Sequence, residues 1–217
     1  MRSKNFAGGT FLKREEKNVI SRQKILDSAI VEFGTKSYAE ASVNSICING
    51  EVSKGNIYHY FKDKDDLYLV CVKECFDTLI SCFDSEEIVF NDFEKDIKKY
   101  LDIRQRFFNE NPYFSNIFAN AVLRPPQHLK EQIKKLKSEL DTFNAIYYKK
   151  ALKNIELRSD VSQDEVIEYF LVFQDAFNNH FQSKNYNSFN ELVDEHEIKL
   201  SKMLKIMIYG ITKEKTE

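Results

Sequence analysis

Hydrophobic residues recur every three to four positions along most of the chain, and polar residues fill the positions between them. This spacing is typical of α-helices that bury one face. Capping residues precede several of these stripes, at Ser42, Ser53, Asp63 and the capping box that opens at Ser162. Only 3 Pro and 6 Gly are present, which favours long helices over a turn-rich β fold. The sequence therefore predicts an all-α protein of about nine helices.

Two short helices around a tight turn are predicted between Ser42 and Phe61. The first runs from about Ser42 to Asn49, and the second begins at Ser53 and buries Ile57 and Phe61. This burial turns the opposite face of the second helix outward, and that face carries Lys54, Asn56, Tyr58, His59 and Tyr60. A short helix presented in this way fits the major groove of duplex DNA.

The segment from Val52 to Leu67, VSKGNIYHYFKDKDDL, resembles the signature of the tetracycline-repressor (TetR) family of bacterial regulators. The similarity extends upstream through RQKILDSAIVEF at 22–33 and covers residues 19–79 in all. The resemblance implies a three-helix head with a helix-turn-helix, followed by a larger helical domain for effector binding and dimerisation. At the turn, Gly50 and Glu51 stand where the family usually has Ala and Gly. Either Gly50 takes over the turn or Glu51 adopts a mildly strained conformation.

Contacts with DNA are predicted for residues of the two short helices and the start of the next. Lys54 and Asn56 are the candidates for base edges, and Gly55 lets the helix backbone approach the DNA. Ser42 lies at a helix N-terminus, where a phosphate binds well. The resemblance implies a phosphate contact for Lys64. The full predicted set is Ser42, Ser53, Lys54, Gly55, Asn56, Tyr58, His59, Tyr60 and Lys64.

Charge is distributed unevenly and supports this division of the chain. Residues 1–64 hold 11 Lys and Arg against 7 Asp and Glu, a net +4, whereas the remainder holds 21 against 27, a net −6. A basic head is the expected footprint of a phosphate-binding domain. We predict a flexible N-terminal arm at 1–17, a DNA-binding domain at 18–64, and an effector-binding and dimerisation domain at 65–217.

The body contains most of the 18 Phe and 11 Tyr residues. Relatives that resemble this chain hold a small-molecule pocket between their middle helices, which implies a hydrophobic effector here. The predicted lining is Phe107, Phe108, Phe114, Phe118, Phe143, Tyr147, Phe170, Phe173 and Phe177. The alternative for each ring is that it simply fills the core.

The resemblance also implies a homodimer built from the final two long helices. The apolar arc of the penultimate helix is too wide for a single contact, so one side is available to a partner. The predicted interface comprises Tyr169, Val172, Ala176, His180, His196, Leu200, Met203 and Met207. Two heads in one dimer would read a pseudo-palindromic operator.

The predicted function is a ligand-responsive, sequence-specific transcriptional regulator, most simply a repressor that its effector releases from DNA. Catalysis is not expected, because no phosphate loop, nucleophile motif or metal-ligand spacing is present. No cofactor and no metal are predicted. The four cysteines are expected to be small buried residues in a cytoplasmic protein, with redox sensing or metal binding as the alternatives. The rival interpretation is a helical protein-interaction module with a degenerate DNA-binding head.

Overall fold

A computed structural model describes residues 8–186 and 188–211 of the 217-residue chain. Over these residues the chain is all-α, as predicted, and the elements follow in the order α1 (Gly8–Thr35), α2 (Val43–Asn49), α3 (Lys54–Tyr60), α4 (Lys64–Asp84), α5 (Phe93–Glu110), α6 (Pro112–Leu123), α7 (Lys130–Ala151), α8 (Gln163–Gln182) and α9 (Phe189–Ile211). Short 3-10 segments, Gln127–Leu129 and Leu152–Asn154, flank α7.

The head is formed by α1, α2 and α3, and the predicted caps set where the two short helices begin. The Ser42 hydroxyl accepts a hydrogen bond from the Asn44 backbone N–H at 3.1 Å, and the Ser53 hydroxyl accepts one from the Asn56 N–H at 3.1 Å. Each bond satisfies a backbone donor that the helix itself leaves free. The core beneath is built from fully buried side chains of all three helices: Ile25, Phe33, Ile46, Ile57 and Phe61.

Helix α1 begins further upstream than the sequence indicated. It starts at Gly8, so residues 8–17, which we assigned to a flexible arm, are helical. The run from Thr10 to Lys17 contains good helix formers such as Leu, Lys, Arg and Glu, and this preference outweighs Gly8 and Gly9. Residues 1–7 of the predicted arm, with Arg2 and Lys4, lie outside the described residues.

The turn between α2 and α3 resolves the choice left open by the sequence. Glu51 has a φ of +48°, whereas Gly50 has a φ of −84°. A side chain in this left-handed conformation costs about 1 to 2 kcal/mol. Gly50 is needed for a different reason, since a Cβ built there would lie 2.6 Å from the Ser28 hydroxyl oxygen on α1.

Replacing Glu51 by Gly is expected to stabilise the head relative to Glu51→Ala by about 1 kcal/mol, because only Gly relieves the positive φ. Both variants lose the exposed Lys24–Glu51 ion pair of 3.3 Å, which contributes little. Urea denaturation of the two variants measures the difference. Equal stabilities would show that Glu51 is not strained.

The body is built around α4, which continues from the head. The helical spacing of apolar residues at 69, 72, 76, 79 and 83 predicts one buried face for this helix. Val72, Phe76, Leu79 and Phe83 are buried, and Leu69 is half-buried. Helices α5, α6 and α7 pack around α4, and α8 and α9 complete the far side. The head therefore meets the body mainly through α4 and through the packing of α6 against α1.

The crossing of α1 and α6 is unusually close. A Cβ at Gly34 of α1 would lie 2.6 to 2.9 Å from the Cβ, Cα and carbonyl oxygen of Tyr113 at the start of α6. The Asn116 side-chain amide also donates a 2.8 Å hydrogen bond to the Gly34 carbonyl. A glycine at this position thus allows the two backbones to touch and fixes the head against the body.

Candidate nucleic-acid interface

Helix α3 presents the face that the sequence predicted. Ile57 and Phe61 point into the head, while Lys54, Gly55, Tyr58 and His59 are exposed and Asn56 is half-buried at the edge of the same face. The space around Gly55 is open, since a Cβ there would meet only the Ser53 hydroxyl oxygen, at 4.0 Å. The first turn of α3 therefore offers a cation, an amide and a bare stretch of backbone to an approaching strand.

Tyr60 and His59 are held at the end of α3. The half-buried Tyr60 donates its hydroxyl to the Asn18 side-chain oxygen on α1 at 3.2 Å, and the His59 and Tyr60 rings lie edge to face 4.8 Å apart. Tyr60 thus joins α3 to the upstream half of α1, and His59 stays exposed. Of the three aromatic residues predicted to position the DNA backbone, Tyr58 and His59 are the more accessible.

A buried carboxylate fixes the start of α2, and sequence reasoning missed it. Glu32 on α1 is only 2% exposed, accepts the Ser42 backbone N–H at 2.9 Å, and pairs with Lys36 at 2.9 Å. Its negative charge lies at the positive end of α2, where the helix dipole favours it. In the sequence Glu32 looks like an ordinary polar position of α1. Its role in fixing the start of α2 becomes visible only from its hydrogen bond with the Ser42 backbone, ten residues away.

Lys64, which is predicted to contact a phosphate, is half-buried and is already bound within the protein. Its ammonium group donates to the Tyr38 carbonyl oxygen at 2.5 Å and lies 4.2 Å from the centre of the Tyr38 ring. Burial lowers its pKa, although the nearby Asp65 and Glu32 carboxylates oppose this. In this structure Lys64 ties the α1–α2 loop to α4, which is a positioning role.

The predicted effector residues do not surround one cavity. Phe108 and Phe118 line a cavity of about 370 Å³ between α5, α6 and α9. Phe173 and Phe177 line a separate groove between α8 and α9. The other five rings pack against aromatic neighbours: Phe107 on Phe114, Phe143 on Tyr147, and Phe170 on Tyr148. For these five, filling the core is the better interpretation.

His196 and Glu197 line one wall of the Phe108 cavity and belong to a network of charged and polar side chains. The Arg104 guanidinium on α5 pairs with Glu197 on α9 and lies over the Phe108 and Phe118 rings at 4.9 and 5.2 Å. His196 joins the network through Glu197 at 3.0 Å and through the Asn178 side-chain oxygen at 2.9 Å. Burial of the Glu197 carboxyl alone would raise its pKa. The nearby Arg104 and His196 side chains outweigh this effect and lower the pKa to about 2.

The residues predicted for the dimer interface fall into two groups, one that is at least partly exposed and one that faces the chain's own core. Tyr169, Val172, Ala176 and His180 of α8 are exposed, and Met203 and Met207 of α9 are partly buried. His196 and Leu200 are only 2% and 3% exposed and face the chain's own core. The prediction for these two is wrong, because the buried network and the Phe177 and Phe181 rings hold His196 on the inner side of α9.

Two of the four cysteines predicted to be buried lie in the interior, and Cys47 and Cys82 are half-buried. Cys71 and Cys75 on α4 are fully buried, and burial raises the pKa of both thiols. Over the described residues, no three His, Cys, Asp or Glu side chains come together in a way that would hold a metal ion. The helices that the structure describes also include none that is long and apolar enough to cross a bilayer.

Comparison with known proteins follows the same division between head and body. Residues 25–71 match the family described as bacterial regulatory proteins, tetR family, and residues 91–213 match the tetracyclin repressor-like C-terminal domain. A curated relative, the biofilm operon icaADBC HTH-type negative transcriptional regulator IcaR of Staphylococcus aureus, is 34% identical over 58 residues. That alignment covers 27% of this chain and 31% of the relative, so the chain spans about a third of that relative's length.

Solved structures share the whole fold at low identity. A TetR-family transcriptional regulator from Syntrophomonas wolfei has a TM-score of 0.59 at 20% identity, over 87% of this chain and 96% of its own. FadR from Bacillus subtilis, solved in complex with stearoyl-CoA, has a TM-score of 0.58 at 14% identity, over 81% and 95%. The C-terminal match alone spans more than half of the sequence, and with the head match it shows that the chain belongs to the tetR family of bacterial regulatory proteins.

Proposed function

We propose that this protein is a sequence-specific DNA-binding transcriptional regulator that represses from a pseudo-palindromic operator. The observation that carries the proposal is the capped helix α3, which buries Ile57 and Phe61 and leaves Lys54, Gly55 and Tyr58 on an open face. The similarity to IcaR, which is named a negative regulator, favours repression over activation. Family membership favours regulation over catalysis.

The DNA contacts follow from this exposure. Lys54 and Asn56 in the first turn of α3 read base edges, and Tyr58 and His59 contact the sugar-phosphate backbone. Ser53 offers the N-terminus of α3 to a phosphate. Ser42, whose backbone N–H already binds Glu32, offers its side-chain hydroxyl. Tyr60 and Lys64 contribute indirectly, because Tyr60 holds α3 and Lys64 holds the α1–α2 loop in place.

A homodimer is proposed because one short recognition helix reads too few base pairs to select a site. The outer face of α8 and α9 supplies the surface, with Tyr169 and Val172 at 51% and 60% exposure. Beside them an apolar groove of about 550 Å³ runs between the two helices, lined by Phe173, Phe177 and Met203 among others. A second copy related by a two-fold axis covers this face on both subunits.

The effector site is proposed at the Phe108 cavity. Its 370 Å³ falls in the range of small-molecule sites, and Phe118, Ala119 and Leu123 of α6 supply apolar wall. The ligand complex of the FadR neighbour favours an effector with a large apolar part. Because α6 lines the cavity and also touches Gly34 of the head, a ligand that displaces α6 changes the head's orientation.

Fragments of the source genome selected by the purified protein provide the operator for a binding test. Affinity is expected to fall steeply with salt, because each phosphate contact releases condensed counterions. Lys54→Ala is expected to cost about 1 to 3 kcal/mol of binding free energy and to relax the preference at one base pair. Lys130→Ala, which removes an exposed lysine from the body, serves as the control and leaves binding unchanged.

Gly55→Ala separates folding from DNA contact. The added methyl group is expected to stabilise α3 by up to about 1 kcal/mol and yet to weaken operator binding about tenfold, because it stands between the backbone and the DNA. Lys130→Ala, at an exposed position of the body, again serves as the control and leaves binding unchanged. Salt-insensitive binding, or full affinity in both Lys54→Ala and Gly55→Ala, would favour a protein-interaction module with a degenerate head.

A further inference from the structure

A cavity of about 620 Å³ lies where the head meets the body, and the proposed effector site does not include it. Its head side is formed by the end of α1 and the following loop, residues 35–40. Its body side is formed by Asn116 and Asn120 of α6 and by Arg124, Pro126, Gln127 and His128 after that helix. Any molecule that fills the cavity therefore contacts both domains at once.

Most residues that line this junction cavity have polar side chains, and the cations among them are Lys36 and Arg124. Lys36 extends from the head side, and Arg124 and His128 from the body side. Glu40 is the single carboxylate among the lining residues, and its oxygen is held by the Ser37 hydroxyl at 2.6 Å and the Ser37 N–H at 3.2 Å. These bonds hold the Glu40 carboxylate against Ser37 of its own loop and lower its pKa.

Lys36 retains donor capacity although it is paired. Its ammonium lies 2.9 and 3.0 Å from the two oxygens of the buried Glu32, and its side chain is 41% exposed. An ammonium group has three N–H donors, so one remains for a ligand in the cavity. The pairing fixes the lysine in position, which lowers the entropy lost on binding.

The edge of the cavity is also held in place. Tyr38 donates its hydroxyl to the Asp65 carboxylate at the start of α4, and His128 Nε2 lies 3.2 Å from the other Asp65 oxygen. The Tyr38 and His128 rings meet edge to face at 5.5 Å. The Asp65 carboxylate thus connects the α1–α2 loop, the start of α4 and the α6–α7 connection beside the cavity.

We propose that this junction cavity binds a small polyvalent anion, carrying phosphate or carboxylate groups, that bridges Lys36 of the head to Arg124 of the body. Charge-assisted hydrogen bonds to lysine and arginine are strong, and their placement on two facing walls selects an anion with two or more charged groups. Bound there, the anion ties the head in its present orientation. It is a second ligand, separate from the apolar effector.

Isothermal titration of the full-length protein with pyrophosphate and with citrate, at constant ionic strength, tests the proposal. Saturable 1:1 binding of at least one probe is expected, and the tighter of the two identifies phosphate or carboxylate as the preferred group. Hydrogen exchange is expected to slow in residues 35–40 and 124–128 when the probe binds. Absence of saturable binding by both probes would overturn the proposal.

Charge variants locate the binding. Ala39 and Gln127 line the cavity and are exposed, so substitution there removes no buried contact. Ala39→Glu is expected to weaken the anion about fivefold and Gln127→Lys to tighten it by a similar factor. Val89→Glu, which makes the same charge change at an exposed position that does not line the cavity, leaves affinity within about twofold. Binding that ignores Ala39→Glu and Gln127→Lys would place the anion elsewhere.

Discussion

Glu197→Leu is expected to lower the free energy of unfolding by about 3 to 5 kcal/mol, the largest effect among the substitutions considered. The reason is that Arg104 is only 5% exposed and Glu197 is its counter-ion across α5 and α9. Without Glu197 the guanidinium is left buried and unpaired. Denaturation with guanidinium chloride, followed by circular dichroism, measures the loss of unfolding free energy.

The double variant Arg104→Met with Glu197→Leu distinguishes an unpaired charge from a simple loss of packing. Replacement of both ions by apolar side chains of similar size is often neutral, so most of the stability is expected to return. Asp77→Asn is the matched control, because it breaks an exposed pair with Lys73 of 2.8 Å and changes stability by less than about 1 kcal/mol. A double variant as unstable as Glu197→Leu would contradict the assignment.

The same ion pair predicts a dependence of stability on pH. The Glu197 carboxyl has a folded-state pKa of about 2, below its ordinary value of 4.5. A lowered carboxyl pKa contributes stability above the unfolded-state value and loses it as the pH falls toward the folded-state value. Unfolding measured between pH 5 and pH 2 is therefore expected to show a loss in the wild type that the double variant lacks.

The sequence predicts those parts of the structure that depend on local interactions. Ser42 and Ser53 cap the short helices, and Ile57 and Phe61 lie inward, because capping and helical spacing are properties of a few adjacent residues. The same holds for the buried stripe of α4. Local rules place these elements without any knowledge of their neighbours.

The remaining features depend on contacts between distant segments. A stripe of apolar residues shows that a face is buried but not what covers it, so the nine rings assigned to one pocket are divided among several sites. His196 reads as a surface residue until Asn178 and Glu197 are seen beside it. Lys64 likewise reads as a free cation, and its contact with Tyr38 spans 26 positions of sequence.

Gly34→Ala is expected to destabilise the protein by about 1 to 3 kcal/mol and to alter how the head is held on the body. Alanine is normally preferred to glycine inside a helix by about 1 kcal/mol, so a loss here opposes the intrinsic tendency. The cause is the contact with Tyr113, where the new methyl group would lie 2.7 Å from Cα and 2.9 Å from the carbonyl oxygen. Helix α1 must move away from α6 to accommodate it.

Tyr113→Ala separates a backbone clash from a side-chain clash. The Tyr113 side chain is 42% exposed, so its removal alone is expected to have a small effect. In the Gly34→Ala background it is expected to restore little, because the Cα and carbonyl oxygen of residue 113 remain in place. Thermal unfolding of the single and double variants gives the comparison, with Gly210→Ala as a helix substitution in open space.

The effect on DNA binding follows from the position of this crossing. The Asn116 amide bonds the Gly34 carbonyl at 2.8 Å, so moving α1 also removes a link between the proposed effector helix and the head. Gly34→Ala is therefore expected to reduce the response of operator affinity to the effector, at temperatures where the variant is fully folded. Suppose that Tyr113→Ala, added to Gly34→Ala, restored both the stability and the response of operator affinity to the effector. The tyrosine ring would then set the α1–α6 crossing, and the backbone contact at Gly34 would not couple the effector site to the head.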